Sequence, residues 1–98
     1  MSLDISRIRQ QFPALARPVT FFDGPGGTQI CQQSLERIQN YLVDCNANHE
    51  GAFATSHESD AILDAAHAAM ADFYNAARPE EIIFGPNMTT LTLHLSRS

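Results

Sequence analysis

Two short apolar runs are the only parts of this chain whose composition favours β-strand. Phe21-Phe22 ends an extended segment that begins at Arg17, and Ile82-Ile83-Phe84 follows much later. Both are shorter than a typical strand of about five or six residues. Because so few short strands cannot build a sheet alone, we expect a mostly helical chain with two or three short strands whose sheet partners lie elsewhere.

Apolar residues at helical spacing account for most of the remaining sequence. The spacing predicts a short helix over residues 4–12, long helices over 31–45 and 58–77, and a last helix from Met88 onward. Thr55 and Glu58 fit a capping box at the start of the second long helix. No Gly or Pro follows the last helix. We therefore expect residues 1–98 to be a single N-terminal segment of a larger protein, without a second domain, that ends inside a helix.

Charge and hydropathy exclude several classes of protein. The net charge is −5, with 11 acidic residues and six scattered arginines, so no basic patch for nucleic acid is visible. No apolar run approaches the roughly 20 residues of a membrane span, and the N-terminus lacks the pattern of a signal peptide. If Cys31 and Cys45 share one helix they lie about 21 Å apart and cannot pair. We expect a cytoplasmic protein with neither nucleic-acid nor membrane partners.

The histidines do not form a metal-binding pattern. His49-Glu50 begins like H-E-x-x-H, but Phe53 occupies the second histidine position. His57 and His67 are ten residues apart and do not share a helix face. We expect no metal site.

A glycine-rich turn lies between Asp23 and Thr28. It matches neither the phosphate loop with its lysine nor the G-x-G-x-x-G pattern, because Gln29 stands at the third glycine position. The composition favours a tight turn in which glycine adopts a positive φ angle. Two alternatives are that the backbone of this turn approaches a small substrate closely, and that the turn binds a nucleotide.

Two further segments have the composition of ligand sites. Residues 46–56 form a polar loop with one aromatic, the kind of loop that contacts a ligand or a partner, although a solvated connection explains it equally. Near the end, Asn87 is placed to cap a helix and to leave the amides of Met88, Thr89 and Thr90 pointing outward. Free amides and threonine hydroxyls at a helix start bind phosphate, whereas the alternative is an ordinary capped helix.

Three stretches together resemble one family. They are Val-Thr-Phe-Phe-Asp-Gly-Pro-Gly-Gly-Thr-Gln at 19–29, Asn-Ala-Asn-His-Glu-Gly at 46–51 followed by Thr55-Ser56, and Glu-Ile-Ile-Phe-Gly-Pro-Asn-Met-Thr-Thr at 81–90. Their content, order and spacing are similar to those of cysteine desulfurase-like proteins. These belong to the class V aminotransferases, which are pyridoxal 5′-phosphate (PLP) enzymes of fold type I.

The resemblance implies an α/β parent fold, PLP in the complete enzyme, an amino-acid substrate, lyase or transferase chemistry, and a homodimer. It implies that Thr89, through hydroxyl and amide, and Met88, through its amide, hold the PLP phosphate, with Thr90 beside them. Gly26 and Gly27 would lie on the substrate side of the pocket. The loop from His49 to Phe53 would approach the active site of the partner subunit.

The chain departs from the family pattern at several positions. Asn87-Met88 replaces the usual Gly-Thr, Glu50 stands where many desulfurases carry Arg, and Ala52-Phe53 replaces Ile-His. The chain also contains no lysine, the residue that PLP enzymes use to bond the cofactor aldehyde. We expect the 98-residue chain to be inactive alone.

A different class of function is compatible with the same residues. The chain is alternatively a free-standing, α-rich interaction module without catalysis. It would bind a partner through its unpaired strands and its alanine-rich helix.

Overall fold

The computed structural model describes residues 3–98 and divides into two compact units, one up to Ala47 and one from Asn48 onward. In the first unit, helix α1 spans Ile5–Gln10 and helix α2 spans Gln32–Asp44. Single 3₁₀ turns occupy Pro13–Ala16 and Gly24–Gly26 between them. In the second unit, helix α3 spans Ala54–Tyr74, a 3₁₀ turn spans Pro79–Glu81, and helix α4 spans Met88–Leu95.

The helices of the first unit begin where local chemistry allows. Asp4 caps α1, because its carboxylate accepts a hydrogen bond of 3.0 Å from the amide of Arg7. The Gln32 amide donates to the Gln11 carbonyl at 2.7 Å, which ties the start of α2 to the end of α1. The predicted span of α2, residues 31–45, is confirmed to within one residue at each end.

Helix α3 differs from its predicted span. It begins at Ala54, four residues before the predicted start, and ends at Tyr74. The predicted capping box at Thr55 and Glu58 is wrong, because both residues already lie inside the helix. Asn75 ends α3 in the left-handed conformation, with φ of 55°, and its amide donates to the Asp72 carbonyl.

The prediction of short strands is wrong for the part of the chain that the structure describes. Residues 21–22 and 82–84 have no regular secondary structure, and no strand occurs anywhere between residues 3 and 98. A strand exists only through hydrogen bonds to a neighbour, and neither run has one here. Phe22 and Ile83 are 92% and 78% exposed.

Few residues are buried within the described range. Only Cys45, Ser56, Ser59 and Ala71 fall in the buried class among residues 3–98, and none of them is large. The apolar stripe that the spacing predicts along α2 is exposed at Leu35, Ile38 and Leu42 and buried at its last residue, Cys45. Helix α4 ends at Leu95, and the Ser96 amide donates to the Thr92 carbonyl. No helix among these residues is long and apolar enough to cross a membrane.

Asn75 provides a test of how α3 ends. We expect Asn75→Ala to lower the free energy of unfolding by about 1 kcal/mol, because alanine has a Cβ that disfavours the left-handed region and lacks the local hydrogen bonding of asparagine. Asn75→Gly should preserve or raise stability, because glycine enters this region freely. Urea denaturation measures both, and Ala77→Gly, just beyond the helix, controls for the effect of glycine on the unfolded chain. Equal stability of the Ala and Gly variants at position 75 would contradict the assignment.

Candidate functional site

The polar loop of the second unit is fastened to the first turn of α3 by a buried serine. The Ser56 hydroxyl donates to the Asn48 carbonyl at 2.6 Å and accepts from the Gly51 amide at 2.7 Å. Ser56 is fully buried. One side chain therefore satisfies the two backbone groups on either side of the turn at His49 and Glu50, and holds that turn in one conformation.

An aspartate one helical turn further along α3 holds the same loop at its outer side. The Asp60 carboxylate lies 2.7 Å from Nδ1 of His49 through Oδ1, and its Oδ2 accepts from the Glu50 amide at 3.2 Å. Glu50 has a φ of 59°, a conformation that is uncommon for a residue with a long side chain. The loop thus holds Glu50 in that conformation while its amide and the His49 ring both bond Asp60.

The aromatic residue of the loop packs back on a glycine. A Cβ built on Gly51 would overlap the ring of Phe53, so only glycine lets this ring lie where it does. Phe53 remains 51% exposed. Two predicted site residues, His49 and Phe53, are therefore carried by one short loop whose shape is fixed by Gly51, Ser56 and Asp60.

The second predicted site lies at the start of α4. Asn87 caps the helix, because its side-chain oxygen accepts from the Thr90 amide at 2.9 Å. This capping role is confirmed, but the Thr90 amide is consumed by it. The expectation that all three amides point outward is therefore wrong for Thr90. It holds for the amides of Met88 and Thr89, which have no hydrogen-bond partner among residues 3–98.

The chain before α4 packs closely on the helix. A Cβ on Gly85 would overlap the side chain of Leu91, so the absence of a side chain at Gly85 allows the turn to lie over α4. Met88 is 78% exposed, and Thr89 is exposed beside it. The first turn of α4 therefore presents two free backbone donors and a threonine hydroxyl to solvent.

The glycine turn belongs to the first unit. Gly24–Gly26 forms a single 3₁₀ turn, and Gly27 follows with φ of 155°, a value that side-chain-bearing residues rarely adopt. The predicted positive φ is confirmed at Gly27 alone. A Cβ on Gly26 or on Gly27 would meet nothing within 4 Å, so both glycines line open space.

A groove that the sequence did not predict lies in the second unit. It has a volume of about 480 Å³ and lies between α3 and the 3₁₀ turn, with Asp64, His67, Pro79, Glu80 and Ile82 along its walls. His67 packs edge-on against Phe84, with ring centroids 4.7 Å apart. The half-buried His67 is thus partly covered by Phe84. No cluster of three potential metal ligands occurs in the described part of the chain.

The two cysteines have different surroundings. Cys45 is buried at the end of α2, whereas Cys31 is partly exposed at its start. The Sγ of Cys31 lies 3.1 Å from the Ser34 hydroxyl, and this hydrogen bond, followed by one to the Ser34 amide, lowers the pKa of the Cys31 thiol.

Comparison with known proteins assigns the chain to a family. The family model described as "Aminotransferase class-V" matches residues 20–95, which include the glycine turn, the anchored loop and all of α4. The chain belongs to the class V aminotransferase family. The members of this family are PLP enzymes of fold type I, which supports the α/β fold predicted for the parent protein.

Individual relatives agree with this assignment. The chain is 34% identical over 99 residues to the aminotransferase-like protein FGM3 of Gibberella zeae, covering 97% of the chain and 24% of the relative. It is 32% identical to a cysteine desulfurase of Synechococcus elongatus, covering 86% of the chain and 14% of the relative. A probable cysteine desulfurase of Streptomyces coelicolor is 33% identical, with coverage of 87% and 22%. The chain spans about a quarter or less of these relatives, and no solved structure matches it.

Sequence reasoning missed Ser56 and Asp60 as residues of the site. Ser56 and Asp60 are four residues apart, a spacing that places both on one face of a helix. The sequence indicates this shared face only if α3 begins at Ala54, before Ser56. The predicted helix start at Glu58 left Ser56 in the loop and concealed this face.

We expect Ser56→Ala to lower the free energy of unfolding by about 1–3 kcal/mol, because the half-buried Gly51 amide loses its acceptor. Hydrogen exchange at the Gly51 amide should accelerate in the same variant. Thr55→Ala is the matched control, because Thr55 is the exposed neighbour on α3 and its side chain has no hydrogen bond among residues 3–98. Equal exchange at Gly51 in both variants would show that Ser56 does not fasten the loop.

Cys31 generates a prediction about reactivity. The lowered pKa of its thiol means that the thiolate forms at a lower pH than in an ordinary exposed cysteine. We expect Ser34→Ala to raise this pKa, to slow alkylation of Cys31 by iodoacetamide near neutral pH, and to move the alkylation profile to higher pH. Buried Cys45 serves as the internal control, and an unchanged profile at Cys31 would exclude the Ser34 contribution.

Proposed function

We propose that this chain supplies the N-terminal part of a PLP-dependent, cysteine desulfurase-like enzyme that acts on an amino acid. In this proposal the start of α4 binds the cofactor phosphate, and the anchored loop from Asn48 to Phe53 contributes to a site shared between two subunits. The observation that carries the proposal is the pair of unpartnered amides at Met88 and Thr89, together with the hydroxyl of Thr89.

The residues at the start of α4 fit a phosphate group chemically. Two free backbone N–H groups at a helix N-terminus carry partial positive charge and point along the axis toward an anion. No acidic residue occurs between Gly85 and Leu95, so no carboxylate beside the helix start repels a phosphate. Asn87 satisfies the Thr90 amide, which limits the contribution of Thr90 to its hydroxyl.

The complete enzyme would take its chemistry from the cofactor, since PLP acts as an electron sink for bonds at the α-carbon of an amino acid. The residues of this chain would bind and orient. Met88 and Thr89 would hold the phosphate, and Gly26 and Gly27, which have no side chain to fill the space beside them, would allow a substrate to approach the backbone. His49 and Phe53 would reach the pocket of a partner subunit in a homodimer.

The absence of lysine determines what these 98 residues lack. No side chain in them can form a Schiff base with the aldehyde of PLP, so the lysine must come from outside residues 1–98. We therefore propose that the chain alone is inactive and that the active protein is a longer, cytoplasmic enzyme. The relatives, of which the chain spans 24% or less, support this.

Large exposed apolar side chains support the same proposal. Phe22, Phe73, Ile83 and Leu95 are each at least 77% exposed. Covering a side chain of this size is worth about 1.5–3 kcal/mol. These residues are the ones that the remainder of a fold-type I enzyme would cover. An interaction module would also use them.

A substitution at Thr89 tests the phosphate site. In the full-length protein, Thr89→Ala should weaken PLP binding by about 1.5–3 kcal/mol, or roughly 10- to 100-fold in Kd, because one hydrogen bond to a charged group is lost. Thr89→Ser should restore most of the affinity. Thr92→Ala, one turn further along α4, is the control, and the cofactor Kd is measured by fluorescence titration. Equal affinity of wild type and Thr89→Ala would remove the start of α4 from the cofactor site.

A further inference from the structure

The hydrogen bond between His49 and Asp60 determines which ring nitrogen carries the proton. Nδ1 of His49 lies 2.7 Å from Oδ1 of Asp60. An ionised carboxylate only accepts hydrogen bonds, so Nδ1 must be the donor. A neutral His49 therefore has its hydrogen on Nδ1 and a free lone pair on Nε2. No described residue bonds Nε2, and the His49 side chain is 60% exposed.

Asp60 is itself held in place. It lies on α3, and the Glu50 amide donates to both of its oxygens, at 3.2 Å to Oδ2 and 3.4 Å to Oδ1, while Oδ1 also accepts from His49. The Asp60 side chain is only 28% exposed. Since both carboxylate oxygens are occupied by one loop, the carboxylate cannot rotate without losing a bond, and the direction of the His49 ring is fixed with it.

The charges around His49 favour a cationic ligand. Between Asn48 and Asp60 the chain carries Glu50, Glu58 and Asp60 and no arginine. The one other titratable side chain in this stretch is His57. Such a surface attracts the ammonium group of a zwitterionic amino acid.

We propose that Asp60 is a positioning residue that holds His49 in the Nδ1–H form, so that Nε2 accepts a proton from the ammonium group of an amino-acid substrate. The substrate N–H bond breaks, an Nε2–H bond forms, and the resulting imidazolium is balanced by the Asp60 carboxylate. The amine keeps the electron pair of the broken bond and becomes nucleophilic. This inference rests on the proposed function, which supplies the amino-acid substrate.

The replacement Asp60→Asn tests the proton position with little change in shape. The amide oxygen of Asn can still accept from Glu50, which turns its NH₂ group toward Nδ1 of His49. An NH₂ group donates, so Nδ1 must become the acceptor and the hydrogen moves to Nε2. The variant therefore keeps the loop in place but removes the free lone pair from the exposed nitrogen.

Acylation by diethyl pyrocarbonate, which requires an imidazole nitrogen with a free lone pair, measures this change without depending on turnover. In the full-length protein at about pH 8, where imidazoles are neutral, mass spectrometry should show that Asp60→Asn slows acylation of His49 several-fold. His57, exposed on α3 without a hydrogen bond to a carboxylate, is the internal control and should react at an unchanged rate. Asp72→Asn is the charge-matched control variant on the same helix. Equal acylation of His49 in wild type and Asp60→Asn would overturn the proposal.

A double-mutant cycle tests whether Asp60 acts through His49. His49→Gln should lower kcat by about 10²-fold or more with a smaller effect on KM, and Asp60→Asn should lower kcat in wild type but not in the His49→Gln background. Equal effects of Asp60→Asn in both backgrounds would overturn the positioning role. The two proposals are tested by separate measurements. PLP binding by Thr89→Ala tests the phosphate site, and acylation of His49 in Asp60→Asn tests the position of the proton. An absence of PLP binding by the wild type would refute the proposed function, and the amine-deprotonation step with it.

Discussion

Loop 48–53 keeps its shape because two side chains on one face of α3 satisfy its polar groups. Ser56 bonds the backbone on both sides of the turn, and Asp60 bonds the Glu50 amide and the His49 ring. Without these bonds a polar loop of this length would sample many conformations. Fixing the loop in one conformation costs about 1–2 kcal/mol of backbone entropy per residue, which these bonds help to offset. The positions of His49 and Phe53 depend on this anchor, as does the unusual backbone of Glu50.

At the start of α4, fewer residues satisfy the polar groups of the backbone. Asn87 satisfies one amide of the first turn, and Gly85 allows the preceding chain to lie against Leu91. The remaining amides at Met88 and Thr89 are left to solvent or to an anion. In the function proposed above, this pair of donors would bind the cofactor phosphate. The helices thus contribute mainly by holding polar groups at their ends, since few of their large apolar side chains are buried within residues 3–98.

Helix positions were predicted with uneven success, for physical reasons. The span of α2 followed from a clean apolar period between residues that do not continue the helix. The start of α3 was missed, because Thr55 and Ser56 have the composition of a cap while the structure uses Ser56 inside the helix to bond the loop. The strands were overpredicted, because β-branched and aromatic residues favour an extended backbone but a strand also needs a partner. Of the site residues, His49, Phe53, Met88 and Thr89 lie where a ligand can reach them, whereas the Thr90 amide is occupied.

The sequence by itself determined the family, the lack of a lysine, the helical character of the long apolar segments and the capping role of Asn87. Each of these depends on residue identity or on neighbours within a few positions. Only the tertiary structure decided that Asp60 bonds His49 and that Ser56 bonds Asn48 and Gly51. These contacts join residues eleven positions apart along the chain in the first case, and eight and five positions apart in the second. Their geometry depends on α3 beginning at Ala54, because the helix start sets which side chains face the loop.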